Sequence, residues 1–227
     1  MIRLIPEAKD VRTLVLFHSR TGNTRLLAEA VAEGARIGGG ASVALRHLPE
    51  LGDQDALLAH DYVGPKYAAV RASCPTAAIQ DIAAADVVIL GCPTRMGGMT
   101  AEMKALIDEL GGVWQSGAFQ DKVGACFTTA STPHGGQEMT LIGMSVAMIH
   151  LGMILAAPGY TARITENAGS PYGATATSKH FGQRVGPTSD DLQAARALGR
   201  RAALVGRDLL RGRAAAEHPL PGQQTTG

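Results

Sequence analysis

The chain of 227 residues has few cysteines, and those it has lie far apart. Cys74, Cys92 and Cys126 form no Cys-x-x-Cys pair, which argues against a zinc site and against a disulfide framework. The formal net charge is only +1 and no basic block occurs, so we expect no nucleic-acid partner. The charged N-terminus lacks the apolar segment of a signal peptide, and we therefore expect a cytoplasmic location.

Aromatic residues are also scarce, at 4% of the chain, whereas apolar residues make up 45%. The core is thus expected to consist of Ala, Val, Leu and Met side chains, in an amount ample for one domain. We expect that domain to span residues 1–211 and to be followed by a disordered tail over residues 212–227.

One stretch without any formal charge, residues 139–157, approaches the length of a transmembrane segment. His150 and Gly152 interrupt it, and Pro158-Gly159 ends it. A buried helix followed directly by a buried strand explains the same residues, so no membrane insertion is predicted.

Strand and helix patterns alternate along the chain. Apolar runs predict strands at residues 14–17, 42–48, 86–91, 122–128 and 153–158. Helices are predicted after residue 24 and at 76–85, 100–110, 136–151 and 189–210, and the Pro- and Gly-containing segment 49–75 is predicted to be a surface excursion. This order predicts a doubly wound α/β fold, with five parallel strands and helices on both faces.

Residues 13–24 read TLVLFHSRTGNT, an apolar run that breaks into hydroxyl residues, Gly22 and Asn23 before a long amphipathic segment. A strand, a short loop and a helix in this order direct backbone N–H groups and the positive end of the helix dipole at one point, which suits a phosphate. The loop lacks the Lys of an NTPase P-loop and any Gly-x-Gly-x-x-Gly pattern. A phosphate held without Lys or metal suits a monoester such as that of FMN. The alternative is an ordinary strand-to-helix turn with Asn23 as its cap.

Two further loops, residues 92–99 and 128–138, follow predicted strands and are likewise rich in Gly, Ser and Thr. In a parallel sheet, ligands bind at the carboxyl ends of the strands, so these loops are expected to meet the first one. Backbone donors there would stabilise the charge of a reduced flavin ring.

Several blocks then occur in order: Ser-Arg-Thr-Gly-Asn-Thr at 19–24, Pro-Thr-Arg at 93–95, Gly-Gly-Val-Trp at 111–114, Gly-Gly-Gln-Glu at 135–138, His-Leu-Gly-Met at 150–153 and Ser-Pro-Tyr-Gly-Ala at 170–174. Together they resemble the WrbA family of NAD(P)H:quinone oxidoreductases over roughly residues 12 to 210. The resemblance implies a flavodoxin-like fold with strand order 2-1-3-4-5, FMN as the cofactor, NAD(P)H and a quinone as substrates, and a homotetramer.

The resemblance also implies roles for individual residues. Trp114 would line the substrate pocket of a neighbouring subunit, and no residue is assigned a certain catalytic role or a metal. The FMN-binding residues would be Ser19, Arg20, Thr21, Gly22, Asn23 and Thr24 at the phosphate, then Pro93, Thr94, Arg95, Met96, Gly97, Thr129, Ala130, Ser131, Thr132, Gly135 and His150 along the ribityl chain and the ring.

The chain departs from the family at several of these positions. Met96 stands where the family usually has Phe, Thr21 where an aromatic residue is common, and Leu151 where a second His occurs. The loop 128–138 is one residue longer. These departures bear on ring affinity and substrate preference rather than on fold or cofactor.

Structural alternatives remain for single residues. His150 is equally explained as a core histidine, Trp114 as an anchor between helices or subunits, and Arg95 as a solvated charge. Cys92 is expected to be a buried strand-end thiol rather than a reactive one. His134 is assigned no chemistry, and Met139, Met144, Met148 and Met153 are expected to pack in the core.

Three classes of function fit the pattern. The first is a two-electron flavoenzyme that passes hydride from NAD(P)H to a quinone by a ping-pong mechanism. The second is a one-electron carrier of flavodoxin type, against which the net charge of +1 argues, since carriers dock through strongly acidic faces. The third is a phosphatase, because Ser19 and Arg25 are spaced like a Cys-x5-Arg cradle, but Ser19 cannot supply the thiolate. A non-enzymatic FMN-binding or partner-binding role is a further alternative.

Overall fold

The secondary structure is that of an alternating α/β chain. The computed structural model describes residues 11–39, 42–160, 168–180, 183–184 and 186–216. Within these residues the strands are β1 (Arg12–His18), β2 (Ser42–Leu48), β3 (Val87–Pro93), β4 (Val123–Ala130), β5 (Ile154–Leu155), β6 (Ala174–Thr177), β7 (Lys179–His180) and β8 (Gln183–Arg184). The helices are α1 (Asn23–Ile37), α2 (Gln54–Leu58), α3 (Gly64–Ser73), α4 (Ile79–Ala84), α5 (Ala101–Glu109), α6 (Gly111–Trp114), α7 (Gln137–His150) and α8 (Ser189–Ala216).

The central sheet is parallel with the order β2-β1-β3-β4-β5, as the resemblance predicted. β1 pairs along its full length with β2, from Arg12 opposite Ser42 to His18 opposite Leu48. The predicted fifth strand, residues 153–158, is wrong in extent. β5 has only two residues and pairs with the start of β4, whereas β6 pairs with Phe127–Ala130 at the end of β4. The fifth position of the sheet is therefore shared by two segments.

Both faces of the sheet are covered, which explains why the strands are continuously apolar. Val15 and Phe17 of β1 point to the face packed by α1 and α8. Leu14 and Leu16 point to the opposite face, packed by α4, α5 and α7. The two layers of helices hold the carboxyl ends of β1, β3 and β4 side by side.

The segment 49–75 is more ordered than a surface excursion. It contains α2 and α3, and Tyr67 and Val70 of α3 are completely buried. The sequence prediction failed there because Pro and Gly occur at helix starts as well as in loops: Gly64 and Pro65 begin α3.

The last helix also runs further than predicted, to Ala216 instead of residue 210, so the first part of the expected tail is helical. Residues 217–227 lie outside the described part of the chain. The division into one domain and a tail therefore stays a prediction.

The uncharged stretch 139–157 forms most of α7 followed by β5. α7 is only half buried: Met144 and Met148 are in the core, but Met139, Val146 and Ile149 are exposed. The expected core role is thus wrong for Met139, and Ile154 of β5 is exposed as well. None of the helices in the described ranges is both long and apolar enough to cross a membrane. The cytoplasmic location stays a prediction.

Candidate functional site

The three predicted loops meet at the carboxyl end of the sheet, where β1, β3 and β4 end. A single pocket there is bordered by residues of all three loops and by one residue that follows β6. Its lining consists of Ser19, Arg20, Thr21, Asn23, Thr24, Pro93, Thr94, Arg95, Thr129, Ala130, Ser131 and Ser178. Because the strands are parallel neighbours, loops that are distant in sequence end up adjacent.

The first loop, residues 19–24, is called the phosphate loop below. Ser19 is buried, and its Oγ accepts hydrogen bonds from the backbone N–H groups of Gly22 (3.1 Å) and Arg25 (3.4 Å). Gly22, with φ 93°, is the N-cap residue of α1 and supplies no side-chain cap itself, whereas Ser19 Oγ takes the N–H of Arg25 in the first turn. The first N–H groups of a helix have no partner within it, so those of Asn23 and Thr24, for which no acceptor is found in the described ranges, are available to a ligand at this point.

The second and third loops touch through glycines. Arg95 and Gly98 exchange backbone hydrogen bonds of 2.8 and 2.9 Å, and the turn between them carries Met96 (φ 46°) and Gly97 (φ 79°). Gly136 begins α7 at φ 91°, again without a side-chain cap, and a Cβ added there would lie 2.8 Å from Gly97 Cα. The close approach of the two loops therefore requires glycine at 136.

Hydroxyl groups connect the loops beneath the pocket. The Oγ1 atoms of Thr24 and Thr129 are 2.8 Å apart, and both residues are buried. Thr94 Oγ1 lies 3.2 Å from Thr128 Oγ1 and accepts a hydrogen bond of 3.0 Å from Thr140 Oγ1. Buried polar groups with this many partners hold one geometry, so the three loops form a preorganised floor.

Sequence reasoning missed three of the residues that build this floor. Ser178 lines the pocket, and its N–H donates to Ala130 O (2.8 Å). Gln137 accepts from Gly135 N–H (3.0 Å) and donates to Thr132 O (2.9 Å), which closes the third loop. Thr140, the third, lies one helical turn after Gly136. Ser178 follows a strand whose place in the sheet no local pattern reveals.

A charged cluster lies beside the phosphate loop; it is centred on the buried His18 and Glu50 and completed by the partly exposed Arg20 and Glu102. Sequence reasoning named Arg20 but missed its three charged partners. Glu50 Oε1 lies 2.9 Å from His18 Nε2 and accepts from Arg20 Nε at 2.9 Å, while Glu50 Oε2 accepts from Arg20 Nη2 at 2.5 Å. The sequence does carry a signal: His18 ends one strand and Glu50 follows the adjacent one, so both belong to the same edge of the sheet.

The ionisation of Glu50 follows from these contacts. Burial by itself would raise the pKa of this carboxyl group, but the hydrogen bonds from His18 and Arg20 lower it to about 2. The same hydrogen bond raises the pKa of Arg20. The carboxylate and the guanidinium are therefore both charged over the whole physiological pH range.

Cys92 is completely buried, and desolvation raises the pKa of its thiol to about 11. This confirms the expectation of an inert strand-end thiol. Arg95 lies at the pocket rim, which favours a role at the ligand over that of a remote solvated charge. His134 lies in the third loop but does not border the pocket described above.

Trp114 and His150 do not reach this pocket. α7 extends over 14 residues from Gly136, about 20 Å at 1.5 Å per residue, so His150 at its far end lies near the start of β4. Trp114 lies beyond the far end of α5, which begins at the carboxyl end of the sheet, and its side chain is 51% exposed. Within the chain, α7 separates His150 from the pocket, so its predicted contact with a flavin needs a neighbouring subunit and stays a prediction. The interpretation of His150 as a core histidine is wrong, since the residue is exposed.

The residues present fit a phosphorylated flavin. The open N–H groups of Asn23 and Thr24, buried hydroxyls and an arginine side chain suit the phosphate, and the exposed turn at Met96 leaves room for a planar ring above the edge of the sheet. This fit rests on donors and open space rather than on a basic cluster.

Comparison with known proteins decides the family. The model of the family described as NADPH-dependent FMN reductase matches residues 12–166. An NAD(P)H dehydrogenase (quinone) from Aromatoleum aromaticum is 37% identical over 90% of this chain and 100% of its own length. Its counterpart from Trichlorobacter lovleyi is 39% identical over 84% of this chain and 95% of its own. The chain belongs to the family described as NADPH-dependent FMN reductase.

Solved structures agree with this assignment. A WrbA-like flavodoxin from Agrobacterium tumefaciens superposes with a TM-score of 0.60 at 26% identity, covering 88% of this chain and 99% of its own. An archaeal flavodoxin superposes at 0.55 with 17% identity over 88% of this chain and 99% of its own, which supports the fold alone. The predicted resemblance, the flavodoxin-like fold and the assignment as an FMN-dependent enzyme are thereby confirmed at the level of the family.

Proposed function

We propose that the protein is an FMN-dependent NAD(P)H:quinone oxidoreductase that reduces quinones to hydroquinones by two electrons. The observation that carries this proposal is the convergence of three Gly-, Ser- and Thr-rich loops and two helix N-termini with glycine N-caps on one edge of the sheet. The overall reaction is NAD(P)H + H⁺ + quinone → NAD(P)⁺ + hydroquinone. The family relatives that carry the name NAD(P)H dehydrogenase (quinone) support this choice of substrates.

Each loop has a distinct task in this proposal. The phosphate loop binds the phosphate through the N–H groups of Asn23 and Thr24. Met96 and Gly97, whose N–H groups have no acceptor in the described ranges, present the backbone donors beside the ring. Residues 129–132 and Gly135 flank the ring on the other side. FMN, when bound, accepts hydride from the nicotinamide and passes the electrons on. Donors fixed by the hydroxyl network would favour the negatively charged reduced form without reorganising.

We expect the nicotinamide and the quinone to bind in turn at the same exposed edge of the flavin. Ping-pong kinetics would then give parallel double-reciprocal lines, with the quinone competing against NAD(P)H at high concentration. Anaerobic addition of NAD(P)H should bleach the flavin absorbance of the FMN-loaded protein in proportion to the nucleotide added. An FMN-loaded protein that neither nucleotide bleaches would contradict the proposed function.

A homotetramer is part of this proposal. The side chains of Met139, Ile142, Val146 and Ile149 form an apolar stripe along the exposed face of α7. Such a stripe suits burial against another copy, and Trp114 and His150 would have to come from a neighbouring subunit to approach a flavin. Sedimentation should give a tetramer, or at least a dimer, which added FMN shifts toward the larger form. A fully active monomer at micromolar concentration would contradict the assembly.

A one-electron carrier remains the second candidate. The overall net charge of +1 speaks against it, since carriers dock through strongly acidic faces. If bound flavin took up electrons one at a time and the protein reduced no quinone, a function as an electron carrier would replace the proposed enzymatic function.

A further inference from the structure

The Glu50 carboxylate is almost entirely buried, with 2% of its side chain exposed, yet it has a full set of partners. His18 and the Nε and Nη2 atoms of Arg20 approach its two oxygens, and its own backbone N–H donates to Tyr67 Oη at 3.0 Å. A buried charge is tolerated only when it is paired and hydrogen-bonded, so these partners cannot move independently. Glu50 therefore sets the position of the Arg20 side chain.

The orientation of Arg20 leaves part of its guanidinium unused. Nε and Nη2 contact Glu50, and Nη1 has no acceptor among the described residues. The Arg20 side chain is 39% exposed, and the residue borders the same pocket as Ser19, Thr21 and Thr24. Arginine binds phosphate through N–H groups held in a fixed plane, and a carboxylate behind it supplies that fixation.

A metal site is a weaker explanation of the same cluster. Ligand atoms of His18, Glu50 and Glu102 all lie within 4.8 Å of one another, and His18 Nδ1 has no hydrogen-bond partner in the described ranges. Both oxygens of Glu50 are already taken by Arg20, whose positive charge opposes a cation at this place. The cluster is thus organised around a guanidinium.

We infer that the Arg20 side chain binds the flavin phosphate, and that buried Glu50, supported by His18, is the positioning residue that holds its guanidinium in place. The inference rests on the proposed function and deepens it, because it explains how this chain would select a phosphorylated flavin. The phosphate loop thereby gains a cationic side chain in addition to its backbone donors.

The test is the affinity of the apoprotein for FMN and for riboflavin, which lacks the phosphate. Arg20→Gln should weaken FMN binding roughly ten- to a hundredfold, the effect of losing a hydrogen bond to a charged group, and leave riboflavin within about twofold. Glu50→Gln should act in the same direction and less strongly, again on FMN alone. In the Arg20→Gln background, Glu50→Gln should cause no further loss, since Glu50 acts through Arg20.

The matched control is Arg46→Gln, which breaks another arginine–carboxylate pair, with Asp81, on β2 and away from the pocket. It should change neither affinity. If Glu50→Gln fails to fold, Arg20→Lys decides: it keeps the charge but lacks the guanidinium edge, so FMN should weaken and riboflavin should not. Wild-type FMN affinity in Arg20→Lys would then overturn the inference.

Other outcomes separate the two proposals. Equal weakening of both flavins by Glu50→Gln would show a merely structural role and overturn the inference, as would tighter FMN binding. A wild-type protein that prefers FMN while Arg20→Gln retains that preference would overturn the inference and leave the proposed function standing. A wild-type protein that binds neither flavin would overturn both.

Discussion

The two ends of the parallel sheet carry opposite kinds of polar chemistry. At the amino end, a cavity is bordered by four charged residues, but each of them is paired with another group of the protein: Arg12, Asp86, Lys122 and Arg213. Asp86 accepts three hydrogen bonds from Arg12, of 2.8 to 2.9 Å, and Lys122 Nζ donates to the carbonyl oxygens of Ile82 and Ala83 at the end of α4. This end is a set of closed structural contacts.

At the carboxyl end, some of the backbone donors are left without partners. Gly22 and Gly136, the N-cap residues of α1 and α7, supply no side-chain cap, whereas α5, which begins at the same end, is capped by Thr100. A glycine N-cap costs only about a few tenths of a kcal/mol relative to a Ser or Asp cap, and it leaves N–H groups that an anion can bind. The comparison shows that a cavity alone does not mark a binding site. Backbone N–H groups without an acceptor are the better indication.

The largest expected effect on FMN binding comes from a glycine at the carboxyl end, with a glycine at the amino end as its control. Gly136→Ala should weaken FMN binding roughly a hundredfold, because the new Cβ would lie 2.8 Å from Gly97 Cα and push the second loop away. Gly117→Ala is the matched control. It has a positive φ of 71° at the amino-end cavity, with nothing within 4 Å of an added Cβ.

Both variants should lose about 1–2 kcal/mol of unfolding free energy from the left-handed backbone. Only the Gly136 variant should lose FMN, as measured by fluorescence titration of the apoprotein. Equal FMN affinities for the two variants would remove the distinction between the ends.

The ends should also differ in the pH range over which they affect stability. The pKa of Glu50 is lowered to about 2 from 4.5, so its ionised form stabilises the fold above pH 4.5. That stabilisation is lost as the pH falls from 4.5 toward 2. Urea unfolding of wild type and Glu50→Gln should therefore show a stability difference that shrinks over this range. A difference independent of pH would contradict the role of the charge.

At the amino end, Lys122 affects stability in the alkaline pH range. Burial lowers its pKa from 10.5 to about 8, although Asp86 opposes this shift. Between these values the unfolded chain binds more protons than the folded one, so stability should rise with pH. Wild type should gain stability relative to Lys122→Met between pH 8 and 10.5. A flat difference across that range would mean that the ammonium group is not desolvated.

The smallest effect concerns two non-glycine residues with positive φ, one at each end. Met96 (φ 46°) is fully exposed, whereas Asp121 (φ 61°) donates its N–H to Gly152 O and pairs with Arg213. Met96→Gly should stabilise the fold by up to about 1 kcal/mol through relief of strain. Asp121→Gly should not, because it loses the ion pair. Thermal unfolding measures both, and a Met96→Gly variant less stable than wild type would show that Met96 makes a stabilising contact.

Much of the fold follows from local patterns. Apolar runs placed β1 to β4 within a residue or two, because strands buried on both faces must be continuously apolar. The phosphate loop was recognisable because its hydroxyls, Gly22 and the helix that follows are contiguous in sequence. The fifth sheet position could not be predicted, since β5 and β6 are short and each is defined only by pairing with β4.

For this protein, the sequence by itself determined the alternation of strands and helices, the loops that carry ligand-binding residues and the family resemblance. Only the tertiary structure decided that His18 and Arg20 meet the buried Glu50 in one cluster, that Gly136 approaches Gly97, and that His150 lies at the far end of α7. The physical reason is that backbone propensity and apolar periodicity act over a few residues. Burial of a charge, close contact between loops and the length of a helix depend on how distant segments pack.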